Sequence, residues 1–281
     1  MRWSALGGLV LLAAVAPRTA RALTIDDRGE MQLGLRAYTA ARFGTEAMGG
    51  SDDPFSFPHS PAGHLRQHRY FLELKFDHDL RRLAKTTRGL AALFGWIDPN
   101  TLRYSLQYRG EGEGLYDYGP DEFRAIGTKL RAVRLDVPDL KGISSPRVPQ
   151  GFIDRYVNHL RTNARQRHRF FMGYLDFEKG PVFVRVGRQI LAWGETDQFR
   201  LLDNINPLDQ GFGGFFIALD ERRVPLDMVR GSYHFASIGP LTDAFVELFG
   251  AMGNRVSVNP GIPQGSPWEP GGLSFPNPAI R

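Results

Sequence analysis

The chain has 281 residues, 42% hydrophobic and 23% charged, with a formal net charge of +5 and no cysteine. Its mean hydropathy of −0.29 excludes a bundle of membrane-spanning helices, each of which needs about 20 consecutive apolar residues, and its 20 Phe, 9 Tyr and 4 Trp exclude a solvated coil. The lack of Cys excludes disulfide frameworks, thiolate-bound metals and thiol nucleophiles.

Residues 1–22 read as a cleaved signal peptide. Arg2 supplies the positive start, Ala5 to Ala16 an apolar stretch too short to span a bilayer, and Ala20-Arg21-Ala22 a small-x-small cleavage pattern. Removing its three arginines leaves 32 basic against 30 acidic residues, so the high pI gives no argument for nucleic acid as a partner. The mature chain, 23–281, reads as one domain.

Strand periodicity starts at Met31–Phe43, where Met31, Leu33, Leu35, Ala37 and Phe43 share one face and Arg36, Tyr38 and Arg42 the other. Residues 44–66 are rich in Gly, Pro and Ser and read as a loop. Arg69–Asp77 alternates again, and Asp77–Ile97 holds a helical pattern with Leu80, Leu83, Leu90 and Leu93 among basic residues. Leu102–Arg109 is a further strand, and 110–166 a long connection with a short helix expected around Gly151–Leu160. Phe171–Phe177, Val182–Gly187, Met228–Phe235 and Leu241–Phe249 follow as strands, and 257–281 has no strand pattern. Alternation alone fits a soluble sandwich or a membrane barrel. The longest strands suit tilted membrane strands of about 9–11 residues. Aromatics near strand ends (Phe43, Tyr70, Phe76, Tyr108, Phe177, Phe235 and Phe249) resemble an interfacial girdle.

Catalytic grammar is sparse. There is no GxSxG, P-loop or HExxH, and the seven histidines have no tight ligand spacing; His64 and His68 are four apart beside a loop. Asp26-Asp27 and Asp52-Asp53 read as solvated turns. No cofactor or metal is expected, and no enzymatic activity. The most distinctive stretch is Val182 to Arg230, containing Gly187-Arg188-Gln189, Trp193-Gly194-Glu195, Asn206-Pro207-Leu208-Asp209 and Arg222-Arg223-Val224-Pro225-Leu226. Arg185, Arg188, Gln189, Trp193, Glu195, Asp197 and Arg200 are the candidate residues of a polar constriction lining a pore. The competing reading is a salt-bridged network holding a barrel wall to an inward-folded loop.

The run GRQILAWGETDQFRLLDNINPLD, followed by RRVPLDMVRGSYHF and preceded by RHRFFMGYLDFEKGPVFVRVGRQ, resembles the family of Gram-negative outer-membrane barrels known as domain of unknown function 1302. The resemblance is good over 165–250 and looser over 31–110. It implies an all-β fold, an antiparallel transmembrane β-barrel with long loops and one or two short helices, acting as a channel or transport component for hydrophobic or polymeric compounds. The implied partners are outer-membrane lipid, the barrel-assembly machinery and a periplasmic or inner-membrane transport component. Because the chain ends in Pro276-Asn277-Pro278-Ala279-Ile280-Arg281 and not in an amphipathic strand with a terminal aromatic, an N-terminal portion of a larger barrel is expected. Two rivals remain. One is a soluble periplasmic or secreted β-sandwich binding a ligand, such as a glycan, through Trp193 and nearby Tyr. The other is a hydrolase using Glu195 and Asp197, which would share a strand face.

Overall fold

In a computed structural model the described residues are 22–47, 60–94, 96–125, 166–193, 205–209, 211–212, 217–235, 237–239, 241–242 and 244–251, with isolated positions between 150 and 158. Residues 1–21 of the expected signal peptide, most of the helix expected around Gly151–Leu160, and the 257–281 tail lie outside them.

Strands β1 (Leu23–Thr24), β2 (Met31–Phe43), β3 (Leu65–Asp79), β4 (Thr101–Glu113), β5 (Gln166–Lys179), β6 (Val182–Gln189), β7 (Leu226–His234) and β10 (Phe245–Ala251) form one eight-stranded antiparallel sheet in that order. The two-residue strands β8 (Ser237–Ile238) and β9 (Leu241–Thr242) pair in a small hairpin between β7 and β10. The fold is therefore all-β, as expected. It has short helices: α1 (Arg81–Thr86) and α2 (Arg88–Phe94) between β3 and β4, α3 (Leu115–Tyr118) and α4 (Asp121–Arg124) after β4, and α5 (Leu219–Arg222) before β7. No helix among the described residues is long and apolar enough to cross a membrane.

Each strand follows its chain neighbour in the sheet, so loops alternate between two ends. At one end the connections are β1–β2, α1–α2, the tight turn at Gly180-Pro181 and the β8–β9 hairpin; Gly180 takes a φ of 54° there. At the other end lie the long connections 44–64, 114–165 and 190–225. The end that carries α1, α2 and the Gly180-Pro181 turn is laced by ion pairs, Arg82 with Glu30 at 2.7 Å, Arg81 with Asp79 at 2.6 Å and Lys85 with Asp98 at 2.7 Å. Asp26 accepts the Met31 amide at 2.8 Å, so it closes the turn into β2.

Register sorts the side chains cleanly. Leu35 pairs Leu74, which pairs Tyr108; Leu102 pairs Phe177, which pairs Val184. These lie on one, apolar, face. The other face runs Tyr38–Phe71–Glu111–Arg167 in one row and Arg103–Asp176–Arg185–Arg230–Phe249 in another. A bulge at Gln107/Tyr108 leaves Phe171 unpaired, and its ring lies beneath the Arg109 guanidinium, 3.4 Å from centroid to carbon.

The accessibility of the two faces is inverted relative to a soluble sheet. Leu35 is 51% exposed and Leu248 73%, and Leu106, Phe170, Val186 and Val246 on the same face are also open. On the polar face, Arg69 and Glu111 are each 2% exposed. Phe249 departs from the expected girdle. It sits on the polar face, edge-on to Trp193 at 5.2 Å.

Candidate functional site: a buried charge network on the polar face

The described part of the β6–β7 connection that carries Asp209 and Glu221 lies over the polar face of β2 to β5 and docks there through these two carboxylates. Asp209 accepts from Arg167 and, at 3.5 Å, from Arg169, both on β5. Glu221 on α5 accepts from Arg69 and from the Tyr38 hydroxyl, each at 2.6 Å, and pairs with Arg36. Glu111 on β4 lies beneath this loop and accepts from Arg69 at 3.3 Å, Arg167 at 2.9 Å and Arg169 at 3.0 Å. Arg109 joins the layers by donating to the Glu221 carbonyl at 2.9 Å and to Glu73 at 2.8 Å.

Five arginines thus face four carboxylates, and rings fill the gaps between them. The Arg69 guanidinium stands over Phe71 at 5.2 Å, and that of Arg167 over Phe212 at 4.4 Å. Burial would raise the Glu221 carboxyl, but the Arg69 and Arg36 cations and the Tyr38 hydroxyl outweigh it and hold Glu221 below the usual carboxylate range. A pocket of about 150 Å³ remains between loop and wall, lined by Tyr38, Arg42, Gln67, Arg69, Ile217 and Glu221. Each of these carboxylates accepts from guanidinium donors. The chemical capacity of this arrangement is to hold a loop against a wall.

The backbone of the connection is pinned by the Asn-Pro-Leu-Asp motif. Buried Asn206 accepts from the Leu191 amide at 2.9 Å and donates to the Val224 carbonyl at 2.8 Å. Val224 N–H donates to the Pro207 carbonyl at 2.8 Å, and Leu208 bridges Arg223. The motif and the Arg-Arg-Val-Pro-Leu segment are therefore the two arms of one tight fold-back. Gly187 has a φ of 130°, and a Cβ there would stand 2.3 Å from the Gly173 carbonyl oxygen. The glycine of the Gly-Arg-Gln triplet is needed for close approach of β6 to β5.

The sequence-derived candidates are dispersed along this frame. Arg185 lies on the polar face and donates to Asp176 at 2.6 and 3.0 Å. Arg188 lies on the apolar face, half exposed, 3.6 Å from Asp227. Gln189 is buried and donates to the Met228 carbonyl at 3.1 Å. Trp193 donates to Glu247 at 2.5 Å. Glu195, Asp197 and Arg200 lie outside the described residues. Of the residues that form the network, Arg36, Tyr38 and Arg69 fall in strands expected from the sequence and Glu111 in the expected long connection, while Arg167, Arg169 and Glu221 fall in none of the expected elements. Their signal was the charge at every second position. His64 does not join His68; it pairs with Glu122 at 2.7 Å, and Ser60 donates to the same carboxylate at 2.9 Å. No group of metal-ligating side chains is found among the described residues.

Fold and polar face together define a protein built on an eight-stranded antiparallel sheet whose charged face, over β2 to β5, carries a segment of its own chain. Residues 104–256 match the family described as a protein of unknown function, DUF1302, and the chain belongs to that family. The match spans the end of the α2–β4 segment through β10, so it includes Glu111, the fold-back motif and both docking carboxylates. No curated protein and no solved structure matched the chain.

Proposed function

We propose that the chain forms the wall of a bacterial outer-membrane β-barrel, exported through a cleaved signal peptide, that acts as a channel or transport component for hydrophobic or polymeric compounds. The observation that carries this reading is the inverted burial. Leu35, Leu106, Phe170, Val186, Val246 and Leu248 of the apolar face stand open while Arg69, Arg109 and Glu111 of the opposite face are buried. In water an antiparallel sheet buries the apolar face instead; in a bilayer the apolar face meets lipid and the polar face meets a lumen. The 13- to 15-residue lengths of β2 to β5 support it. On this reading the fold-back that carries Asp209 and Glu221 narrows the lumen from within. Lipid on the apolar face, the barrel-assembly machinery, and a periplasmic or inner-membrane transport component are the partners it calls for.

The test is fractionation of cells expressing the gene, with outer-membrane extracts run on gels heated and unheated. Outer-membrane location with a heat-dependent shift supports the barrel, and conductance across planar bilayers then tests the channel. A soluble periplasmic product overturns the reading and favours a sandwich that binds ligand.

A further inference from the structure

The fold-back covers the polar face of β2 to β5, but the polar face of β6, β7 and β10 is treated differently. There Arg185 and Arg230 are direct cross-strand partners. Two like charges at such a position repel, and a sheet does not place them together without compensation. Both guanidinium carbons lie 5.6 Å from the centroid of one ring, Phe183. Their carboxylates stand on the outer sides of the pair, Asp176 beside Arg185 and Glu247 beside Arg230. Asp176 is shared with a third cation, Arg103, at 3.0 Å. Glu247 is shared with the indole of Trp193.

The donors are not used up. Arg230 gives only its Nε to Glu247, at 2.6 Å, and Arg185 gives Nε and Nη2 to Asp176, leaving the Arg230 Nη groups and the Arg185 Nη1 without a protein acceptor among the described residues. Arg103, Arg185 and Arg230 share the carboxylates of Asp176 and Glu247, and Asp77 also stands near Arg103. Beside the pair, Trp193 and Phe249 form an edge-to-face shelf, 36% and 37% exposed on the same polar face.

We infer that Arg185 and Arg230 form a subsite for a monoanionic carboxylate carried on an apolar ring, the carboxylate bridging the two guanidiniums and the ring resting on Trp193 and Phe249. A carboxylate accepts from two guanidiniums in plane and offsets the repulsion between them. The aromatic shelf selects a ligand with a flat or apolar body over a small hydrated anion. The inference rests on the lumenal reading of the polar face.

The test uses the full chain folded in detergent, with heat-dependent gel migration recorded on the same sample. Isothermal titration with benzoate, benzamide and phosphate then measures binding. The expected result is benzoate binding, at least tenfold weaker benzamide and phosphate binding, and at least tenfold weaker benzoate binding by Arg230→Gln. Trp193→Ala should weaken benzoate while leaving phosphate unchanged. If the sample shows the heat shift and benzoate does not bind, or benzamide binds as well, or phosphate competes equally, the subsite is overturned while the barrel stands. If Arg230→Gln retains its heat shift and full benzoate affinity, the arginine pair is overturned. A soluble product with no heat shift sinks the barrel reading itself, whatever it binds.

Discussion

Arg69 on β3 and Glu221 on α5 lie 152 residues apart in the chain and meet at 2.6 Å. Both are buried, and each has further partners, Glu111 for the arginine and Tyr38 and Arg36 for the glutamate. Breaking a buried pair by removing one member costs about 3–5 kcal/mol, because the other is left as an uncompensated charge. Glu221→Ala should therefore lower the unfolding free energy of the detergent-folded protein by that amount, read from the shift of its urea midpoint. An unchanged midpoint would show that the fold-back contributes nothing to the wall.

Acid should act through the same group. The folded Glu221 carboxyl lies below its ordinary value, so its contribution to stability is complete above the unfolded carboxylate value of about 4.3. It is lost as pH falls through the lower folded value. A stability profile below pH ~4.5 should be flatter in Glu221→Gln than in the wild type, and parallel profiles would refute the assignment.

Gly187→Ala tests the close approach of β6 to β5. The new Cβ would meet the Gly173 carbonyl oxygen and the Tyr174 Cα, both backbone atoms that cannot swing aside, at a φ of 130°. The strain of such a backbone is of order 1–3 kcal/mol before the clash is counted. The folded fraction after refolding should fall sharply, whereas Gly250→Ala, with open space around it, should refold like the wild type.

Leu248→Arg separates lipid from water as the neighbour of the apolar face. Leu248 is the most open large side chain of β10. In a bilayer the arginine should cost up to about 2–4 kcal/mol, depending on depth; on a water-facing surface it should fall within about 0.5 kcal/mol of the wild type. Denaturation from lipid vesicles measures the difference directly.

Loosening the fold-back should widen whatever passage it narrows. Asn206→Ala removes hydrogen bonds to both arms of the turn, at a cost of about 1–3 kcal/mol for the buried groups left behind. Single-channel conductance should rise in this variant if the fold-back occupies the lumen, and an unchanged conductance would argue that it does not.

The sheet was legible where hydrophobic alternation is unbroken. Met31–Phe43 is a strand to the residue, and β6 and β7 fall where the Val and Tyr pattern puts them. β4 runs four residues further than its apolar pattern, because its last turn is Gly110-Glu111-Gly112-Glu113. Glycine on the outer face has no hydropathy to reveal the period, so charged strand residues looked like linker. The last strand broke in the opposite sense. Leu241-Thr242 belongs to the β8–β9 hairpin, and β10 starts at Phe245. The idea of an inward-folded loop tied by salt bridges was legible, but not which residues tie it. Asp209 sits in a conspicuous motif, whereas the partners of Glu221 come from β2 and β3, and no local pattern encodes a contact across that span.

The charge network also has a consequence for assembly. Its members come one or two from each of β2, β3, β4 and β5, and all must point to the same side for the fold-back to dock. A slip of one residue in any of these pairings turns that strand's contribution outward. A misregistered wall would present Asp209 and Glu221 with too few cations and leave the loop undocked. Docking of the loop therefore depends on a meander whose four strands have been laid down in step.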